Sequence, residues 1–154
     1  MTATTATTRA ELLRFMRAER HATVSSVSPT GAPQAATVGV VVSEDFEIFF
    51  DTIDATRKAV NLRARPRAAV VLGSVAPDAK VTVQVEGTAD EPHGTDLERL
   101  KELYFERFLD GPTRQAWKGL IYVRVRPMWL RLSDYSTDPP RIVELDATAL
   151  EALK

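Results

Sequence analysis

Phe49-Phe50-Asp51-Thr52-Ile53-Asp54-Ala55-Thr56-Arg57-Lys58-Ala59-Val60-Asn61-Leu62 is the stretch on which the reading of this chain turns. An aromatic, strand-forming run ends in a hydroxyl residue, and a helix then begins with Thr-Arg-Lys. The helix reads over residues 54–65, with Ala59, Val60 and Leu62 facing inward, and Pro66 prevents its continuation. The first N–H groups of a helix have no partner within it and form a ready site for an anion. Two cations and nearby hydroxyls add what a terminal phosphate needs. Arg57 can fork onto two oxygens, Lys58 is a compact point charge, and Thr52 and Thr56 offer hydroxyls. The plainer alternative is a helix cap followed by solvated charge. Cations there oppose the helix dipole unless an anion is bound.

Working outward, strands and turns dominate. Thr8 and Glu11 have capping-box spacing and open a helix that ends near Arg20, with residues 1–6 frayed before it. A strand over residues 21–28 breaks at Ser28-Pro29-Thr30-Gly31. Residues 34–42 form a long β-branched run whose apolar centre suits a strand buried on both faces. Ser43-Glu44-Asp45 turns the chain into a strand over residues 46–51. Downstream, strands are expected over residues 67–74 and 80–89, then an amphipathic helix over residues 96–108 and a helical turn near Trp117. Strands over residues 120–125 and 128–132 are separated by Pro127, and a brief extended piece precedes a helical turn from Asp146. About seven strands with few, short helices indicate a mainly β protein: a closed or nearly closed, Greek-key-like antiparallel barrel with peripheral helices. Closure would hide the edges of its uncharged, Val-rich strands. No repeat or linker divides the chain, so residues 1–154 read as one domain.

Composition narrows the function. The chain has 154 residues and a formal charge of −1 from 20 basic and 21 acidic side chains, which argues against binding nucleic acid or anionic membrane through bulk charge. There is no cysteine, which excludes disulfides and thiolate chemistry, and two histidines make a histidine metal site a poor expectation. No apolar run approaches a membrane span and no signal-peptide pattern opens the chain, so a cytoplasmic protein is expected.

From Ala22 to Leu72 the chain resembles the FMN-binding half of the pyridoxamine 5'-phosphate oxidase-like split-barrel family. The resemblance is carried by an ordered set: an opening strand, Ser-Pro-x-Gly-x-Pro, a Val-rich strand, an acidic hairpin, Phe-Phe-x-Thr, Thr-Arg-Lys-Ala-x-x-Leu and Pro-Arg-Ala-Ala-Val. It continues through Val85-Glu86-Gly87-Thr88-Ala89 and Trp129-Leu130-Arg131-Leu132-Ser133-Asp134. It implies a homodimer holding FMN at the subunit interface. Thr52, Thr56, Arg57 and Lys58 would bind the phosphate and nearby ribityl oxygens, with Asp51 in the same cofactor-binding segment. Backbone groups of Thr37, Val38 and Gly39 would meet the flavin ring edge. A glycine there admits a planar ring close to the backbone, although a strand kink or bulge would also use one. Trp117 or Trp129 could cover the flavin from the second subunit, or simply fill core or interface.

The chain also departs from true pyridoxamine phosphate oxidases. Ser133 stands in place of a histidine, Tyr135 in place of an arginine, and the strand Ala35–Val40 lacks the usual Arg and Lys. The expected activity is therefore an FMN-dependent oxidoreductase on an unknown small substrate, with NAD(P)H as a possible donor. No catalytic side chain stands out, because the cofactor carries the chemistry. Glu86, Asp51 and Asp54 read as solvated or capping acids. One alternative is the deazaflavin F420, with Arg63, Arg65 and Arg67 facing its acidic tail. Another is a non-catalytic flavin or haem carrier or sensor.

Overall fold

The computed structural model describes residues 7–73 and 76–154; the frayed start expected over residues 1–6 lies outside them. Helix α1 (Arg9–Met16) is shorter than expected and opens on Thr8, whose hydroxyl accepts the Glu11 N–H. Strands β1 (His21–Val27) and β2 (Pro33–Gly39) form a hairpin, followed by β3 (Val41–Val42) and β4 (Ile48–Ile53). Helix α2 (Arg57–Ala64), β5 (Arg67–Leu72), β6 (Val81–Asp90), α3 (Gly94–Arg107) and α4 (Gly111–Arg114) come next. The chain then runs through β7 (Leu120–Asp134), β8 (Arg141–Asp146) and α5 (Ala147–Ala152). The barrel reading holds: among the described residues eight strands, all antiparallel, follow the order β2-β1-β5-β6-β7-β4-β3, with β8 beside β7.

One small expectation changes on α2: Val60, read as facing inward, is 50% exposed, and the helix begins at Arg57. Two larger ones change through long-range pairing. The run over residues 34–42 is not one doubly buried strand. Its first part pairs with β1, its last two residues pair with β4, and Val40 between them donates its N–H to the Arg20 carbonyl. The two ends of the sheet path are thus successive pieces of one stretch, which curls the sheet into a barrel. Outside the barrel wall, Ala35 and Thr37 of β2 remain exposed. Between β2 and β4 the ladder stops. Extending the register from Val41↔Phe49 sets Val38 and Gly39 across from Thr52 and Asp51, yet no pairing joins them. That gap is the split in the barrel.

The second change concerns Pro127, which interrupts no strand. β7 is continuous, pairing with β6 along one edge and with β4 and then β8 along the other. Gly87 faces Pro127 while Glu86 faces Trp129, so Met128 is the extra residue of a bulge. A bulge tolerates the missing proline N–H. A Cβ at Gly87 would strike the Arg126 carbonyl and the Val125 side chain, which backbone cannot evade. Gly87→Ala is expected to cost about 1–3 kcal/mol, as overpacking does; a thermal melt matching the parent's would refute this close approach.

Apolar side chains fill the barrel, including Val24, Val40, Phe46, Ile48, Phe50, Val70, Val85, Val125 and Leu132. A second cluster lies outside it, where α3 lays Leu100, Tyr104 and Phe108 over Val41 and Phe49. Ion pairs fasten the periphery. Arg141 of β8 holds Glu11 of α1 through two bonds of 2.6 and 3.0 Å. Its guanidinium keeps the Glu11 carboxyl well below the usual value, at about 2. Burial alone would raise Glu47, but Ser43, Arg99 and Arg124 more than offset it, so it too lies low. Carboxylates held low in the folded state add stability that is fully present above their unfolded values and lost as pH falls through the folded ones. The melting temperature should therefore be flat near neutrality and fall below about pH 4.5. Glu11→Gln should reduce that acid-side slope; an unchanged slope in differential scanning calorimetry would count against the Glu11–Arg141 clamp.

Candidate functional site

The quoted stretch folds as one device at the split. Strand β4 alternates: Ile48 and Phe50 enter the barrel, Phe49 joins the outer cluster, and Thr52 is buried at the barrel end. The Ile53–Thr56 link is tied down by Asp54 N–H to the Gly119 carbonyl, 2.8 Å, and by Thr56 N–H to the Ile53 carbonyl, 3.0 Å. The Thr52 and Thr56 hydroxyls are 3.1 Å apart. Thr56 is the N-cap of α2, yet its side chain makes no capping bond, and no acidic residue sits in the first turn. The helix start is therefore uncapped and flanked by cations.

Arg57 and Lys58 have no ion pair or side-chain hydrogen bond among the described residues. Arg57 is exposed and Lys58 half-buried. Burial pulls the Lys58 ammonium below its ordinary value, and the field of Asp51 partly restores it. Both side chains line a cleft of about 380 Å³ together with Thr56, Ala55, Val24, Ser26 and Gln34. That volume falls within the roughly 300–1,000 Å³ usual for ligand clefts. A smaller cavity of about 170 Å³ lies under α2, against Leu62, Ala89 and Val123. Its one cation, Arg63, already pairs with Glu91 at 2.6 Å, so the larger cleft is the anion candidate.

The other expected residues are more scattered. Thr37 is exposed on the β2 edge and Val38 is buried. At Gly39 a Cβ would lie 2.7 Å from the Phe108 ring, so the ring pressed to this backbone belongs to the chain itself. Asp51 points away from the cleft. It accepts the Tyr104 hydroxyl at 3.0 Å and faces Arg114 at 3.3 Å, in the outer cluster. Burial and the Asp51 charge push the Tyr104 hydroxyl well above its usual value, so it stays a donor. Trp117 is 56% exposed beyond α4. Trp129 is half-buried on β7, four strands away from β2. Sequence reasoning missed Ser26 and Gln34, which line the cleft, and the buried Asn61 that bonds to both. A polar Asn61 on the inward face of α2, among Ala59 and Leu62, was the available signal.

This arrangement, a split barrel with an uncapped cationic helix start at its seam, agrees with a family model. Residues 8–134 match the model for pyridoxamine 5'-phosphate oxidase. The chain belongs to that family. No curated protein matches this family member. Among solved structures it is similar to a haem-binding protein from Mycobacterium smegmatis, with a TM-score of 0.79, 18% identity and 96% of this chain covered. It spans 61% of the length of that protein. A conserved hypothetical protein from Mycobacterium tuberculosis gives a TM-score of 0.71 and 26% identity over 88% of this chain and 90% of the other. A pyridoxamine 5'-phosphate oxidase-related, FMN-binding protein from Nostoc punctiforme gives 0.62 and 14% over 86% and 81%. Family membership does not bring the oxidase's substrate residues: Ser133 is buried, Tyr135 exposed, and Arg131 pairs with Glu144 at 3.2 Å. Among the described residues no helix is long and apolar enough to cross a membrane, and no group of metal-ligating side chains occurs.

Proposed function

We propose that this protein is a cytoplasmic FMN-dependent oxidoreductase, acting as a homodimer on a small substrate other than a vitamin B6 phosphate. One observation carries the reading. Two unpaired cations and a hydroxyl pair bonded only to each other stand at an uncapped helix start that opens into a ligand-sized cleft. A phosphate dianion satisfies all of these at once. Bound FMN would supply hydride or electron transfer, while Thr52, Thr56, Arg57 and Lys58 bind and orient its phosphate. NADH or NADPH is the donor this reading calls for.

The FMN-binding Nostoc punctiforme neighbour supports this cofactor, and the Mycobacterium smegmatis neighbour favours haem as the second reading. Haem iron takes His, Met, Cys or Tyr ligands, and none of these lines the cleft among the described residues. F420 is disfavoured differently. Arg63 is paired with Glu91, and Arg65 is bonded to the Val27 carbonyl at 3.0 Å, leaving few cations for an acidic tail. Titration of the purified protein with FMN, F420 and haem tests the choice. FMN should bind tightest and its flavin absorbance should bleach with NADH or NADPH; preferential haem binding would overturn the reading.

The dimer rests on a different surface. Thr23, Ser25, Ala35, Thr37, Ala69 and Val71 make a small-residue, uncharged outer face across β1, β2 and β5, continuous with the open β2 edge. Val71 is 42% exposed there. A second copy packed on this face would complete the flavin site, with Trp117 or Trp129 of the other subunit as cover. Val71→Arg should shift the mass in sedimentation equilibrium from dimer to monomer; a parent that is already monomeric would end this part of the proposal.

A further inference from the structure

Asn61 is 3% exposed, and its Nδ2 donates to Ser26 Oγ and to Gln34 Oε1, each at 3.0 Å. One buried amide thus joins α2 to both strands of the β1–β2 hairpin. The second bond also orients Gln34: its oxygen turns to the helix and its Nε2 turns away from it. Gln34 lines the cleft, and its Nε2 donates to no group among the described residues. Asn61 follows Arg57 by four residues, so the residue that orients Gln34 lies one helical turn along α2 from that cation, and Gln34 shares the cleft with Arg57 and Lys58.

We propose that Gln34 is a ligand-binding residue, donating from Nε2 to the neutral hydroxylated chain that joins phosphate to ring in a flavin mononucleotide. Asn61 is its positioning residue. The inference rests on the phosphate reading above and adds a specificity element to it. The cations at the helix start take the anion, because a charged oxygen gains most from a charged donor. A neutral amide in the same cleft then meets a neutral acceptor, and an uncapped N–H₂ rejects ligands that leave it unpaired.

Titration of FMN and riboflavin separates the parts. Gln34→Ala should weaken both ligands by a similar factor, about three- to tenfold, the value of one neutral hydrogen bond. Arg57→Ala with Lys58→Ala should weaken FMN far more than riboflavin. Asn61→Asp accepts from Gln34 Nε2 and turns Oε1 into the cleft, so it should weaken riboflavin in the parent but not in the Gln34→Ala background. Circular dichroism checks that this buried substitution folds; Gln34→Ala carries the test if it does not. Parent-like binding of both ligands by Gln34→Ala, or loss of FMN alone, overturns the role of Gln34 while leaving the phosphate site standing. Equal losses of FMN and riboflavin in the double-cation variant would instead remove the phosphate site.

Discussion

Arg57→Ala combined with Lys58→Ala is expected to weaken FMN binding by about 2–5 kcal/mol, roughly 30-fold to a few thousand-fold, with the fold intact. Each charged hydrogen bond contributes about 1.5–3 kcal/mol. The lower end allows for Arg57, which is solvent-exposed and so acts in a higher effective dielectric than half-buried Lys58. Neither side chain holds another element in place, so the melting temperature without ligand should stay near the parent's. Removing two like charges from a helix start should even relieve the dipole slightly. The effect should also depend on salt, since these cations act partly through screened attraction. Isothermal titration at two ionic strengths measures both quantities. Unchanged affinity would show that the helix start is ordinary surface.

The second large effect lies away from the cleft. Arg124 on β7 is buried and reaches Glu47 at 2.9 Å, Asp90 at 2.6 Å and Asp96 at 3.2 Å. Its hydrogen bond to Asp90, with further help from Glu47 and Asp96, holds the guanidinium firmly charged. Arg124→Met keeps much of the volume but removes one of the two cations that hold buried Glu47, each at 2.9 Å, leaving Arg99 and Ser43. Breaking a buried pair from one side costs about 3–5 kcal/mol, and with Arg99 in place the expected loss is at the lower end, about 3 kcal/mol. For a domain of this size that is roughly a 6–12 °C lower melting temperature. Adding Glu47→Gln should recover part of the loss, because the remaining group is then neutral. A loss under about 1 kcal/mol in urea unfolding would mean that water already screens the network.

Much of the site was legible because its signals are local. The Phe-Phe-x-Thr run, the Thr-Arg-Lys helix start and the stop at Pro66 each follow from residues within one turn of one another. Structure keeps Thr56, Arg57 and Lys58 together on the cleft. The pairing of Asn61 with Gln34 spans 27 residues and depends on where α2 comes to rest, which no local period records. Asp51 shows the same limit: its neighbours in sequence are the phosphate residues, but strand alternation turns it to Tyr104, 53 residues away.

The sequence by itself determined a mainly β chain, the positions of its turns, the amphipathic α3 and the cationic start of α2, since dihedral preference and hydrophobic period are properties of neighbouring residues. Only the tertiary structure decided that residues 34–42 divide between two partner strands at Val40, and that β7 runs unbroken past Pro127. Both depend on which backbone groups find a partner across the barrel. That is settled by the closing of the whole sheet and not by the residues at the bend.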